Sequence, residues 1–249
     1  MSTLLSVTDL TVDFGGLRAV EDVSLTITDE AIMGLIGPNG AGKTTTIDAL
    51  CGFVKQSSGH IVLDGRSIEP RKPHQRARAG LVRTFQSIEL FDDLTVRENL
   101  LVAATPTRWW SVFADAVAPQ RATRHVDVDF ALDLVGLAGS QAARPGELSH
   151  GQRRLAGIAR AVAVRPRLVL LDEPAAGLDP DETAALGQVL RSLPSMGIGV
   201  LLVDHDMSLV LDVCDEVTVL DFGRVIATGA PAAIQRDPAV IAAYLGGAA

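Results

Sequence analysis

The residues Gly37-Pro38-Asn39-Gly40-Ala41-Gly42-Lys43-Thr44-Thr45 combine flexible small positions with one cation and two hydroxyls. Their spacing, Gly, four residues, Gly, Lys, Thr, is that of a loop that wraps phosphates. Glycine lets the backbone fold round an anion, amides and a helix N-terminus present partial positive charge to it, and Lys43 adds a full charge. The Thr44 hydroxyl is of the type that ligates Mg²⁺ beside a bound nucleotide. A second chemical station, Asp172-Glu173, closes the apolar run Leu168-Val169-Leu170-Leu171. Carboxylates at the C-terminal end of a buried parallel strand face the ligand side of an open α/β sheet. There Asp172 is expected to hold Mg²⁺ and Glu173 to act as general base towards water. His205 ends a further apolar run, Ile198 to Val203, whose tip should converge on the phosphates. Asp206 is expected to cap the next helix.

These groups need a scaffold, and the hydrophobic pattern describes one. Ile32 to Ile36 reads as the buried strand before the phosphate loop, and Thr45 to Leu50 as the helix after it. Leu4 to Phe14 and Ala19 to Thr28 read as two strands joined at Gly15-Gly16, with Val7, Leu10 and Val12 towards the core, in an edge hairpin or small antiparallel sheet. Phe14, just before that turn, reads from residue type alone as a core aromatic, with a stacking platform for a base as the other reading. Gly59 to Leu63 is a strand ended by the turn Asp64-Gly65. The basic stretch Arg66 to Arg78, with Pro70 and Pro73, reads as a solvated connection holding a short helix. Leu81 to Phe85 is a further strand with Gln86 at its end.

From Thr95 the pattern turns helical. Thr95-Val96-Arg97-Glu98 is an N-cap box with Leu94 as staple, and Val126 to Leu137 is a second helix. Trp109-Trp110 cannot share one helix face, which places one of them at an exposed or contact surface. Ser149 and Gln152 form another capping box, and the helix they open also presents an anion site. Ala176 to Asp179 is a loop, Pro180 suits the first position of a helix, and a hairpin around Phe222-Gly223 precedes two short C-terminal helices. The fold class is therefore α/β: a phosphate-loop nucleoside triphosphatase with a mainly parallel core sheet, an N-terminal antiparallel β subdomain and an inserted α-helical subdomain. We expect one domain over 1–249, its core and β subdomain from 1–86 and 166–249 and its helical subdomain from 87–165.

Composition narrows the partners. The 249 residues are 47% apolar and 21% charged, an ordinary globular balance. A net charge of −8 argues against a nucleic-acid surface. Cys51 and Cys214 lack metal-ligand spacing and sit among apolar residues, so both read as buried reduced thiols. No apolar run has the length of a transmembrane helix and Met1 to Leu5 is not a secretory signal, so a cytosolic chain is expected, attached to any membrane through a partner.

Taken together, the loop, Gln86, Leu148 to Gln152, Leu168 to Glu173, Ala176 to Asp179 and His205 resemble an ATP-binding cassette (ABC) subunit along nearly the full chain. Arg83 to Gln86, Leu94 to Leu100, Asp172 to Leu178 and Val240 to Gly246 are similar, more narrowly, to the ATPases of branched-chain amino-acid uptake systems. The resemblance implies a head-to-tail dimer with two ATP molecules between its subunits, formed from two copies or with a related ATPase. Residues 37–45 would bind one ATP, with Phe14 at the base. Ser149, Gly151 and Gln152, with Asp179, would serve the site shared with the opposite subunit. Gln86 and His205 would act beside Glu173 in catalysis, Gln86 with Thr44 and Asp172 at the metal. Membrane permease subunits are the implied partners, meeting 87–94, with a solute-binding protein indirectly, at the cytoplasmic face of the membrane and with no nucleic acid. His150 stands where the usual signature has glycine, and Asp204 where a Glu is commoner. An Asp there is also seen in lipopolysaccharide-export ATPases. Urea or amide uptake and lipopolysaccharide export are thus alternatives to amino-acid import. A repair or ribosomal ABC ATPase would carry coiled coils or a second cassette, and a phosphate-loop kinase would not need the helix at Ser149.

Overall fold

A computed structural model of the chain describes residues 2–84, 90–104, 121–204 and 206–246. Two compact units result, Met1–Arg83 with Arg167–Ala249, and Thr84–Pro166.

The first unit is built on two sheets. β1 (Thr3–Phe14), β2 (Leu17–Thr28), β4 (Ser58–Leu63) and β5 (Arg66–Ser67) form an antiparallel sheet in the order β2-β1-β4-β5. The buried residues Val7, Leu10 and Val12 break strict alternation, and register shifts between them absorb the mismatch. Asp9 and Asp22 take φ of 50° there, the left-handed conformation that aspartate tolerates better than most residues.

The second sheet carries the order β10-β9-β3-β8-β7-β6, from β3 (Ile32–Ile36), β6 (Leu81–Thr84), β7 (Leu168–Asp172), β8 (Gly199–Val203), β9 (Glu216–Asp221) and β10 (Arg224–Gly229). β3 runs parallel to β8 and β9, and β7 parallel to β8, so the carboxyl ends of β3, β7 and β8 share one edge. Every residue of β3, β7 and β8 is buried, as suits strands covered on both faces. Leu168, Leu170, Leu201 and Val203 join Leu5, Leu10, Ile47 and Leu50 in a single core. Burial pushes the thiols of Cys51 and Cys214 up to about 12, so both stay protonated.

Helix α1 (Lys43–Cys51) follows β3, and α2 (Pro73–Arg78) lies in the basic stretch. That stretch is not wholly solvated. Arg76 is buried, and its Nη1 donates to the carbonyls of Ala49 and Leu50 at 2.7 Å each. The guanidinium therefore closes the carboxyl end of α1, where carbonyls lack partners and the helix dipole is negative.

The second unit contains α3 (Val96–Ala104), α4 (Arg121–Leu134) and α5 (His150–Val162), which pack on one another. Thr95 and Glu98 exchange the capping-box bonds, and buried Asn99 ties the backbone of Phe91, Leu94 and Thr95 to α3. Trp109-Trp110 lie outside the described residues. In the first unit, α6 (Pro180–Ser192), α7 (Met207–Val213), α8 (Pro231–Ile234) and α9 (Pro238–Gly246) complete the chain. No helix of the described residues is long and apolar enough to cross a membrane.

Replacing Arg76 by Met keeps the apolar stem but strips the α1 carbonyls of their donor. The expected loss is about 2–3 kcal/mol of unfolding free energy, measured as a lowered urea midpoint.

Candidate functional site

The loop after β3 owes its path to two glycines with no room for a side chain. A Cβ on Gly37 (φ 151°) would lie 2.1 Å from the carbonyl oxygen of Leu220, and one on Gly42 (φ 98°) 2.7 Å from that of Ala19. The backbone therefore turns tightly and hands over to α1 at Lys43, whose first turn holds no acidic residue. Such a helix start offers unpaired amides and the positive end of its dipole. Lys43 Nζ donates to the carbonyls of Gly37 at 2.7 Å and Pro38 at 3.0 Å, laying the ammonium across the loop. Burial lowers the Lys43 pKa, while the charges of Glu173 and Asp172 work against that shift. Tyr244 of α9 meets the same loop: burial raises its phenol, and a hydrogen bond with the Gly37 backbone opposes the rise.

A cavity of about 360 Å³ opens over this loop, lined by residues 39–45 together with Asp172 and Glu173, and by Leu17 and Phe222. Seven of the nine loop residues predicted from the sequence, Asn39, Gly40, Ala41, Gly42, Lys43, Thr44 and Thr45, thus share one space with the carboxylates at the end of β7. Gly37 and Pro38 shape the loop from behind it through the Lys43 contacts.

Asp172 is buried, and its charge is matched by a residue the sequence had not singled out for chemistry. Arg83 Nη2 donates to Asp172 Oδ2 at 2.8 Å, and Arg83 Nη1 donates to Asp48 of α1. Both the Arg83 and Asp172 side chains are under a tenth exposed. Burial alone would lower the Arg83 pKa, yet its hydrogen bonds to Asp172 and Asp48 outweigh that and hold it above its ordinary value. Glu173 follows in the left-handed region at φ 48°, its N–H donating to Val203 O at 2.7 Å. Non-glycine residues held there cluster at functional sites, where surrounding structure outweighs the strain.

Beyond β8, Asp204 is buried and accepts from the N–H of Ala175 at 3.0 Å and of Asp206 at 2.9 Å. It thereby ties the turn after Glu173 to the segment flanking position 205. Asp206 caps α7 through Ser208 and Leu209. His205 and Gln86 themselves lie outside the described residues. Asp179 caps α6 by accepting from Glu182 N–H at 2.8 Å. Phe14 is not a core residue: it is 48% exposed at the end of β1 and is not among the residues lining the cavity. In the second unit, Ser149 Oγ accepts from Gln152 N–H at 3.1 Å and Gln152 Oε1 from Ser149 N–H at 2.9 Å, with Gly151 buried in the first turn of α5.

The donor set suits a phosphate chain and a hard cation. Thr44 and Asp172 offer oxygen ligands, and among the described residues no group of three or more His, Cys, Asp or Glu could hold a metal alone. A Mg²⁺ ion commonly takes one or two protein oxygens and completes its shell with phosphates and water.

A glycine loop opening onto a cavity at the carboxyl edge of a parallel sheet is the arrangement of a phosphate-loop nucleotide-binding protein. Comparison with known proteins is more specific. Residues 20–176 match the ABC transporter family, and residues 224–249 match the family described as branched-chain amino acid ATP-binding cassette transporter. The chain belongs to the ABC transporter family, as one of its ATP-binding cassettes. It is 42% identical to the high-affinity branched-chain amino acid transport ATP-binding protein BraF of Pseudomonas aeruginosa, over 98% of both chains. It is 37% identical to the lipopolysaccharide export system ATP-binding protein LptB of Escherichia coli, over 97% of both. Among solved structures, the ADP conformation of MJ1267, an ATP-binding cassette of an ABC transporter, matches with a TM-score of 0.87 and 29% identity, covering 99% of this chain and all of that one.

Removing the Arg83 charge leaves two carboxylates facing each other's field without their shared cation. Arg83→Met should cost about 3–5 kcal/mol of unfolding free energy, while Asp48→Asn, which leaves the Asp172 pair in place, should cost less. Urea titrations of the two variants check the order.

Proposed function

We propose that this chain is the ATP-hydrolysing subunit of a membrane transporter for branched-chain amino acids. The observation that carries hydrolysis is the opening of Glu173 and Lys43 onto one cavity. In this reading Lys43 and the loop amides hold the β- and γ-phosphates. Mg²⁺, held by Thr44 and Asp172 and by Gln86, would neutralise phosphate charge when bound. Glu173 takes a proton from water as the water oxygen bonds to the γ-phosphorus. The bond from that phosphorus to the bridging oxygen breaks, releasing ADP and inorganic phosphate. Such chemistry rests on positioning and preorganised charge. His205 enters this reading from the sequence pattern and the family resemblance, as a group that holds the γ-phosphate.

The transport assignment rests on the likeness to BraF and on the match of residues 224–249. Permease subunits would bind the chain at the cytoplasmic face of the membrane, and a second ATPase subunit would bring its own Ser149, Gly151 and Gln152 to the Lys43 site. Ser149 suits that part by its place, a hydroxyl residue at the N-cap of α5, where a helix start favours an anion. Lipopolysaccharide export is the second reading, favoured by Asp204 and by the likeness to LptB.

Glu173→Gln should abolish ATP turnover, by at least about a hundredfold, and leave ATP binding intact. Lys43→Ala should instead weaken ATP binding itself. Phosphate release and equilibrium nucleotide titration separate the two, and wild-type turnover in Glu173→Gln would refute the base assignment. Uptake of labelled leucine, lost with Glu173→Gln in cells lacking the wild-type chain, tests the cargo.

A further inference from the structure

Asp172 opens onto the cavity, but the side chain that holds it does not. Arg83 of β6 is not among the residues lining that space. Its Nη2 donates to Asp172 Oδ2 at 2.8 Å, with both side chains under a tenth exposed. No other hydrogen bond reaches the Asp172 carboxylate among the described residues. Oδ2 is therefore committed to the guanidinium, and Oδ1 is the oxygen left for a ligand.

The other arm of the guanidinium fixes a second element. Arg83 Nη1 donates to Asp48, which lies one turn beyond Thr44 on α1. Thr44 and Asp172 are the two oxygen donors read above as facing the cation. One planar fork thus spans the helix that carries the first and the strand that carries the second. A lysine, with a single ammonium on a flexible stem, has no rigid fork of that kind.

The commitment of Oδ2 bears on which cation fits. Ca²⁺ gathers a large, loose shell of oxygens and often takes both from one carboxylate. Mg²⁺ demands a strict octahedron, accepts one oxygen from a carboxylate and fills the rest with phosphates and water. We propose that Arg83 is a positioning residue that confines Asp172 to one metal-facing oxygen and so selects Mg²⁺ over Ca²⁺ beside the nucleotide. The inference rests on the ATP-site reading above and adds to it what fixes the choice of cation. Selection is a difference between two affinities, so a change that weakens both cations alike leaves it untouched.

The test is a calorimetric titration of ATP into the full chain carrying Glu173→Gln, once with Mg²⁺ and once with Ca²⁺. The parent should bind ATP more tightly with Mg²⁺. Adding Arg83→Met frees Oδ2 and should cut the ratio of the two affinities about tenfold. Asp48→Asn, which leaves the Asp172 pair in place, should keep the ratio within about twofold. Where Arg83→Met alone does not fold, combining it with Asp48→Asn removes one of the two carboxylate charges left buried without their cation. The same fall in the ratio is expected in that chain. A purely structural role for Arg83 would weaken ATP equally with both cations, and that result, or an unchanged ratio, overturns the proposal. So does a parent that binds ATP equally with Mg²⁺ and Ca²⁺, which leaves the nucleotide reading standing. A parent that binds ATP with neither cation brings down the nucleotide reading, and this inference with it.

Discussion

No side chain can stand between Gly37 and the carbonyl of Leu220, and the rest of the site depends on that closeness. The loop can wrap tightly only because β9 runs beside β3 and brings residue 220 against its exit. Gly42 repeats the constraint against Ala19, at the start of β2. Two separate stretches of chain thus hold one loop, and the helix start with its positive end is set by backbone contact. An anion then meets donors that need little rearrangement, which is how a fixed electrostatic site differs from a flexible cluster of lysines.

Charge inside the first unit follows the same economy. Asp172 would be costly to bury alone, and Arg83 answers it from the neighbouring edge strand β6 while also reaching Asp48 on α1. The three residues link the strand that leads towards Gln86, the helix that follows the phosphate loop, and the strand that ends at Glu173. Asp204 makes a second link, from the turn after Glu173 to the segment around position 205. These bonds give the carboxylate edge a defined geometry, and the left-handed backbone at Glu173 persists inside it.

Much of this was legible in the residues because it is local. The phosphate loop, the capping boxes at Thr95 and Ser149, the cap at Asp206 and the fully apolar strands depend on neighbours a few positions away. What escaped depends on distant ones. Arg76 fell in a stretch read as solvated and Arg83 in a strand with no charge partner read for it, because nothing nearby reveals the α1 carbonyls or Asp172 that receive them. Phe14 read as core by its type, yet it sits at a hairpin tip with nothing packed over it deeply enough to bury it. The spacing of Val7, Leu10 and Val12 is uneven for a strand, and only the shifts in register around Asp9 make all three face inward.

The hairpin at Phe222-Gly223 also sets the order in which this protein can come into being. β3 lies between β8 and β9, Ile32 N–H is held by Asp215, and Ala41 receives its bond from Gly223. The phosphate loop emerges early in synthesis, but its walls arrive some 180 residues later. Contacts of such long range close slowly and late. Until the hairpin has been made, the loop lacks the backbone contacts at Gly37 and Ala41 that hold it in the folded chain. A truncated or stalled product lacking the hairpin would keep the loop's residues but not its site.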